Sequence, residues 1–307
     1  MSNFLPRSAF FFVLSAALLS SGATAENTVA KSAPDASYLQ AFTKWKADLV
    51  DDRKQNWLPL AGLFWLKPGE NTFGSDTHGA VVFPKGPAHA GVFRVQGNDV
   101  TVQFTPGVSA RIDGKAVASA KLEPDISGKA TVVELGSLRF KVVVRGKRIG
   151  IRLKDLESPA IKNYAGPAFF PLDLSYRVTA TWKPAQDKKT VDVPNVLGDV
   201  TPTPVGGEVV FELNGQEYHL TDLGDDPGKG LFIVFADPTN KTDTYPAGRF
   251  LDTDPVADGK VVLDFNHAYN PPCSLTPYAT CPLPPSVNRL AIAIPAGEKY
   301  DHAHGHH

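Results

Sequence analysis

The sequence predicts a mainly β protein, with an N-terminal helix followed by two β-sandwich or barrel-like modules. Three observations carry that prediction. Of 307 residues, 26 are Gly and 26 are Pro, and so much backbone punctuation suits short elements joined by many turns. Apolar residues come in short runs separated by pairs such as Gly97-Asn98, Asp113-Gly114 and Asn214-Gly215, which favour hairpins. Only one stretch sustains a helical period.

Taken in order, residues 1–25 read as a signal peptide. Arg7 supplies a positive start, an apolar run follows from Ala9 to Leu19, and Ala23-Thr24-Ala25 fits a small-x-small cleavage site. The run is shorter than a membrane span requires and is interrupted by serines. No later segment is apolar enough to span, so no transmembrane segment is expected after cleavage, and the mature chain is expected in the periplasm or secreted. Residues 26–36 are small and polar, a flexible leader. Tyr38, Phe42, Trp45 and Leu49 then recur on one helical face, with Asp35 or Ser37 placed to cap its start. Residues 57–66, with Trp57 and Trp65 and no charge, read as a core segment.

Residues 37–156 form the first expected unit, the helix plus a β-sandwich. Strands are predicted at 80–83, 92–95, 100–104, 131–135, 138–144 and 149–153. Pro159 and the Gly166-Pro167 pair break the pattern. A second β unit follows over 168–300, with strands at 175–182, 189–193, 208–213, 216–220, 231–235, 261–265 and 290–294. Residues 301–307 are a His-rich tail.

Composition excludes several function classes. Lys and Arg total 31 against 32 Asp and Glu, too even for a protein that neutralises phosphates along a nucleic acid. Two cysteines are too few for a disulfide scaffold or a Cys-based zinc domain. Neither a Gly-x-Ser-x-Gly elbow nor a His-Glu-x-x-His helix is present. The run 224–230 is one residue short between its glycines for a phosphate loop, and 252–259 lacks the glycine of a calcium loop. The four histidines of the tail offer no preformed cage, so no metal and no cofactor are expected.

The densest chemistry lies in 245–298. Tyr245, Arg249, Asn266, Tyr269, Asn270, Asn288 and Arg289 are candidate ligand-binding groups, and Asp264, His267 and Glu298 are candidate acids or bases. Six of the 26 prolines fall between 271 and 285 and bracket Cys273 and Cys281. Proline-stiffened loops hold side chains in fixed directions. The blander reading is that these polar groups satisfy irregular backbone. In an exported chain the two cysteines are expected as a disulfide. The rival is a thiol pair which, with His267, makes a partial metal site.

These residues also carry a resemblance. Trp57-Leu58 with Gly62-Leu63-Phe64-Trp65-Leu66, Gly69 to Ser75, Gly228-Lys229-Gly230-Leu231-Phe232, Tyr245 with Gly248-Arg249-Phe250, Asp264-Phe265-Asn266, Tyr269-Asn270-Pro271-Pro272-Cys273, Cys281 to Pro285, Asn288-Arg289-Leu290 and Ala296 to Lys299 resemble the DUF1684 family. His267 stands where the family pattern suggests Arg. The resemblance implies no activity and no catalytic residues. Residues 70–155 are also laid out like a forkhead-associated sandwich, but Ser75 replaces the phosphothreonine-binding Arg, which implies a scaffold without phosphopeptide binding.

Two functional readings remain. One is an exported ligand-binding or structural module with its polar site in the C-terminal β unit, taking a small molecule or a cell-envelope ligand. The other is a hydrolase-type enzyme, with Asp264, Glu298 and His267 as acid and base and with Arg249 and the asparagines orienting substrate.

Overall fold

Asp35 fixes where the helix begins. Its carboxylate accepts the Tyr38 N–H at 2.8 Å, and the helix runs Ala36–Asp52. Its apolar stripe buries Phe42 and Leu49. The helix then passes into a π-helical turn, Arg53–Trp57, closed by the Leu58 N–H on the Arg53 carbonyl at 2.9 Å. The wider turn shifts the register of the helix face, and Arg53 enters the interior with no exposed surface. These features belong to a computed structural model that describes residues 33–302 except 188 and 225. The expected signal peptide, leader residues 26–32, and tail residues 303–307 lie outside the described residues.

The protein is mainly β. Two antiparallel-dominated sheets enclose the first core. One runs Leu60–Trp65, Arg148–Asp155, Leu138–Arg145, Val133–Leu135, Ala110–Ile112, Lys115–Ala116; the other runs Val81–Val82, Gly69–Gly74, Gly91–Gln96, Asp99–Phe104, Ser119–Leu122. Alternation sorts the residues: Val100, Val102 and Phe104 are buried while their neighbours are exposed. Phe73, Phe83, Phe93 and Phe140 meet at the centre, with Phe73 and Phe93 stacked at 4.2 Å between ring centroids.

The second core lies under a four-stranded antiparallel sheet ordered Gln216–Thr221, Gly207–Leu213, Arg177–Pro184, Lys260–Asp264. Val209, Phe211, Leu263 and Phe265 fill it together with Ile233, Leu251 and Ile294. Two small hairpins, Thr190–Pro194 with Val200–Pro204 and Phe232–Phe235 with Arg249–Asp252, complete the unit. None of the sheets closes into a barrel. Asn214 and Gly215 both take positive φ, 52° and 75°, the geometry a tight two-residue hairpin needs.

The structure corrects several sequence expectations. Residues 290–294 form no strand. Leu290 donates its N–H to Ala236 O, but Ile294 directs its carbonyl to Arg249 instead of to a ladder. Strands also form at Leu60–Trp65, Gly69–Gly74 and Arg249–Asp252, where no strand was expected. Gly69–Gly74 carries too much glycine and polarity to read as a strand, and Arg249–Asp252 opens on a charge. Trp57 and Trp65 are half-buried rather than in the core, each lying beneath a guanidinium, Arg53 at 5.2 Å and Arg148 at 4.7 Å.

Candidate functional site

Arg53 is the pivot of the best-formed polar site. Its Nη1 donates to Glu298 Oε1 at 2.8 Å and its Nη2 to Glu298 Oε2 at 2.6 Å, a bidentate pair with both partners buried. Nη1 also donates to the Tyr164 hydroxyl at 2.6 Å, and Nη2 to the Asn270 carbonyl at 3.3 Å. Burial works against the Arg53 charge, but Glu298 outweighs it and holds the guanidinium above its ordinary value. Glu298 is itself fixed by its backbone: its N–H donates to Ala268 O at 2.8 Å. The preceding Gly297 takes φ of 81°, and a Cβ there would lie 2.5 Å from Ala268 O, so glycine is required at this approach.

Asn270 completes the site. Its backbone N–H donates to Glu298 Oε2 at 2.7 Å and its Nδ2 to Lys299 O at 3.0 Å. Its side-chain oxygen is buried and has no partner. Tyr164, Asn270 and Glu298 line a cleft of about 530 Å³ that Pro167, Leu275 and Tyr300 help to enclose. Because Tyr164 accepts from Arg53, its own hydroxyl proton is available to donate; burial pushes the phenol up, so that proton stays on. The Asn270 oxygen is enclosed in the wall of the cleft, and Tyr164 brings a hydroxyl that can donate.

The remaining sequence-predicted residues fall into separate networks. Arg249 is fully buried. Its Nη2 donates to Asp237 Oδ2 at 2.6 Å and to Ile294 O at 2.9 Å, and its Nη1 bonds Ala296 O. It pins the irregular 294–296 segment. Burial lowers it, and Asp237 opposes that. Asn288 clips backbone together, accepting from Thr221 N at 2.7 Å and donating to Thr221 O and Val234 O. Tyr269 donates to Asp252 at 2.6 Å and packs beside Trp57. Tyr245 donates to Cys273 O at 3.2 Å. Among the described residues the Arg289 side chain reaches only Pro284 O, at 3.5 Å.

Asp264, Asn266 and His267 lie together under the N-terminal helix. Asp264 Oδ2 accepts from the Tyr38 hydroxyl at 2.9 Å, with Arg177 Nε and His267 Nδ1 each at 3.3 Å; its Oδ1 accepts from Asn266 Nδ2 at 2.9 Å. Burial raises this carboxyl, but the hydrogen bonds from His267, Asn266 and Tyr38 reverse the shift and leave it lowered. The His267 ring stands edge-on to Trp45 at 4.5 Å and to Phe42 at 5.3 Å. Of the predicted acid–base set, only Glu298 faces the cleft, joined there by Asn270 from the binding set.

Cys273 and Cys281 are adjacent but not bonded; both are free thiols, and the Cys273 N–H donates to Cys281 Sγ at 3.2 Å. A hydrogen bond from Cys281 holds the Cys273 thiol below its ordinary value, and the same bond together with burial pushes Cys281 up. Among the described residues no cluster of three or more His, Cys, Asp or Glu could hold a metal, so His267 and the thiols do not combine into one.

Arg53 and Tyr164 are the site residues that sequence reasoning missed. Arg53 sits in Asp51-Asp52-Arg53-Lys54-Gln55-Asn56, which reads as a solvated helix end, and Tyr164 lies in a segment that reads as a boundary.

The comparisons with known proteins agree with the motifs. The solution NMR structure of an uncharacterised protein from gene locus rrnAC0354 of Haloarcula marismortui is 32% identical; the alignment covers 47% of this chain and 80% of that one, with a TM-score of 0.39. No curated protein matches. Residues 162–299, which hold Tyr164, Asn270, both cysteines and Glu298, match a family model described as a protein of unknown function, DUF1684. Through residues 162–299, the chain belongs to the DUF1684 family.

Proposed function

We propose that this is an exported ligand-binding protein whose cleft beside Arg53, Glu298 and Asn270 takes a small polar molecule of the cell envelope, such as a sugar fragment. The observation that carries the reading is a cleft of about 530 Å³ walled by the fixed polar residues Tyr164, Asn270 and Glu298, with the unpartnered Asn270 Oδ1 enclosed in its wall, an acceptor whose loss of solvent costs about 1–3 kcal/mol. With the free proton of the Tyr164 hydroxyl, the cleft suits a guest with vicinal hydroxyls, each both donor and acceptor.

Binding is favoured over turnover by the state of Glu298. Its two oxygens already accept three hydrogen bonds, two from Arg53 and one from the Asn270 N–H, which leaves little room to take a substrate proton. Export rests on the pattern of residues 1–25. In an oxidising compartment Cys273 and Cys281 would pass two electrons and two protons to a disulfide oxidant and become a disulfide.

Calorimetric titration of the mature protein with cell-wall oligosaccharides tests the reading. Binding at micromolar to millimolar Kd that Asn270→Ala weakens tenfold is expected. Absence of binding by every sugar fragment, or affinity unchanged in Asn270→Ala, would overturn it.

A further inference from the structure

The outward face of the hairpin Leu138–Arg145 and Arg148–Asp155 carries four cations in a two-by-two array. Arg139 stands opposite Lys154, and Lys141 opposite Arg152. The alternate residues Leu138, Phe140, Ile151 and Leu153 enter the sandwich core. Like charges directly across a ladder destabilise a sheet, so the array works against folding wherever it lacks counter-charge.

Counter-charge is sparse. Arg139 Nη2 meets Glu134 Oε2 at 3.2 Å. Lys154 Nζ donates to two neutral groups, Gln55 O at 3.1 Å and Asn56 Oδ1 at 2.9 Å. Arg152 Nη2 donates to the neutral Thr280 hydroxyl at 2.9 Å, and its buried Nε has no partner. Lys141 acts on Lys154 as a repelling neighbour; burial and that repulsion together lower the Lys154 amine. Burial and the nearby Arg145 lower Arg152 in the same way. Asp52 and Asp125 also act on Lys154 and Arg152, Asp125 while paired with Arg145, so among the described residues one carboxylate, Glu134, makes an ion pair with the four cations around the cavity.

That cavity has a volume of about 240 Å³. Val132 and Leu156 border it, 44% and 48% exposed. The site is therefore amphipathic, with a cationic floor and an apolar edge.

We propose that this cavity binds a small phosphate monoester with an apolar or ring-shaped body. Arg139, Lys141, Arg152 and Lys154 would take the phosphate oxygens, and Val132 and Leu156 the body. A dianion matches these cations better than a single carboxylate does, and guanidinium forks suit phosphate geometry. The volume admits a small molecule and not a polymer. The site is separate from the Asn270 cleft and stands or falls without it.

The probe is phenyl phosphate, titrated calorimetrically into the mature protein at constant ionic strength, with benzoate as the carboxylate comparison. Submillimolar binding of phenyl phosphate is expected, at least tenfold tighter than benzoate. Lys141→Gln should weaken it at least tenfold, while in chloride buffer its Tm stays level with the parent or rises, because a repulsion is removed. Lys154→Gln serves as the second variant. No heat from phenyl phosphate, benzoate binding as tightly, or affinity unchanged in both variants would overturn the proposal.

Discussion

Glu298→Gln is the sharpest perturbation of the cleft. The substitution keeps the side-chain shape and an oxygen that can still accept the Asn270 N–H, but it removes the charge opposite Arg53. Arg53 is fully buried and its Nε already lacks a partner, so no water reaches the guanidinium to replace the lost carboxylate. Breaking a buried pair from one side costs about 3–5 kcal/mol, because the other charge stays buried and uncompensated. Against a total stability of about 5–15 kcal/mol, that is a large fraction. In urea, with a slope of ~3 kcal/mol/M for a chain of this size, the midpoint should fall by ~1 M or more. Arg53→Met should cost a similar amount, and the double variant less than the sum, with a coupling of about 2 kcal/mol or more. A Glu298→Gln midpoint within ~0.2 M of the parent, or additive single losses, would refute the reasoning that this pair holds the cleft together.

Other outcomes follow from the same structure. Asp264 is lowered in the folded state, so its stabilisation is fully present above the ordinary carboxylate range and fades as pH falls through the folded value; Asp264→Asn should cost about 1–3 kcal/mol at neutral pH and almost nothing in strong acid, read by thermal unfolding across pH 2–6. Gly297→Ala meets both a positive φ and two backbone carbonyls within 2.7 Å, whereas Gly146, at φ 56°, has open space around it. Chemical denaturation should show a loss of about 2–4 kcal/mol for the first and about 1 kcal/mol for Gly146→Ala. Thiol labelling of the mature protein purified from the exported fraction should find no reactive cysteine, and reduction should cost about 2 kcal/mol of stability; two freely labelled thiols would rule the disulfide out.

What could be read from the sequence depended on how local the physics was. The helix was legible because its stripe and its Asp35 cap lie within one segment, and the Asn214-Gly215 hairpin because its turn demands positive φ from those two residues. The sandwich strands followed from alternation. Arg249–Asp252 was not legible, because it begins with a buried Arg whose partner, Asp237, lies on a different element. The apolar run at 290–294 misled for the complementary reason: Ile294 gives its carbonyl to Arg249 and its N–H to Asp237, so its backbone is satisfied without a ladder. In the candidate site the sequence singled out Asn270 and Glu298 from a dense polar stretch. It singled out Arg249 and Asn288 on equal grounds, since residue type alone cannot separate a side chain that satisfies backbone from one that faces a cleft. Arg53 carried no signal, because its inward turn depends on a π-helical register shift.

The concentration of prolines around the two cysteines takes on a different role in this light. Thr280, inside the loop, accepts Arg145 Nε at 3.0 Å and Arg152 Nη2 at 2.9 Å, both from the N-terminal sandwich. On its other side the loop is sewn to the Thr190–Pro194 hairpin: the Val196 N–H donates to Cys281 O at 3.1 Å and the Leu283 N–H to Pro194 O at 2.7 Å. The loop therefore joins elements of both β units. Its stiffness lowers the entropy lost in making those contacts, and its first residues, Asn270 and Pro271, leave directly from the wall of the cleft. A strap that starts at Asn270 is thus fixed at Thr280 to sandwich residues 128 and 135 positions earlier in the chain. The same two arginines tie that strap to the cationic hairpin. The polar residues of 245–298 that look like one catalytic constellation in the sequence are thus several separate networks, of which the one joining Asn270 and Glu298 to Arg53 borders the cleft.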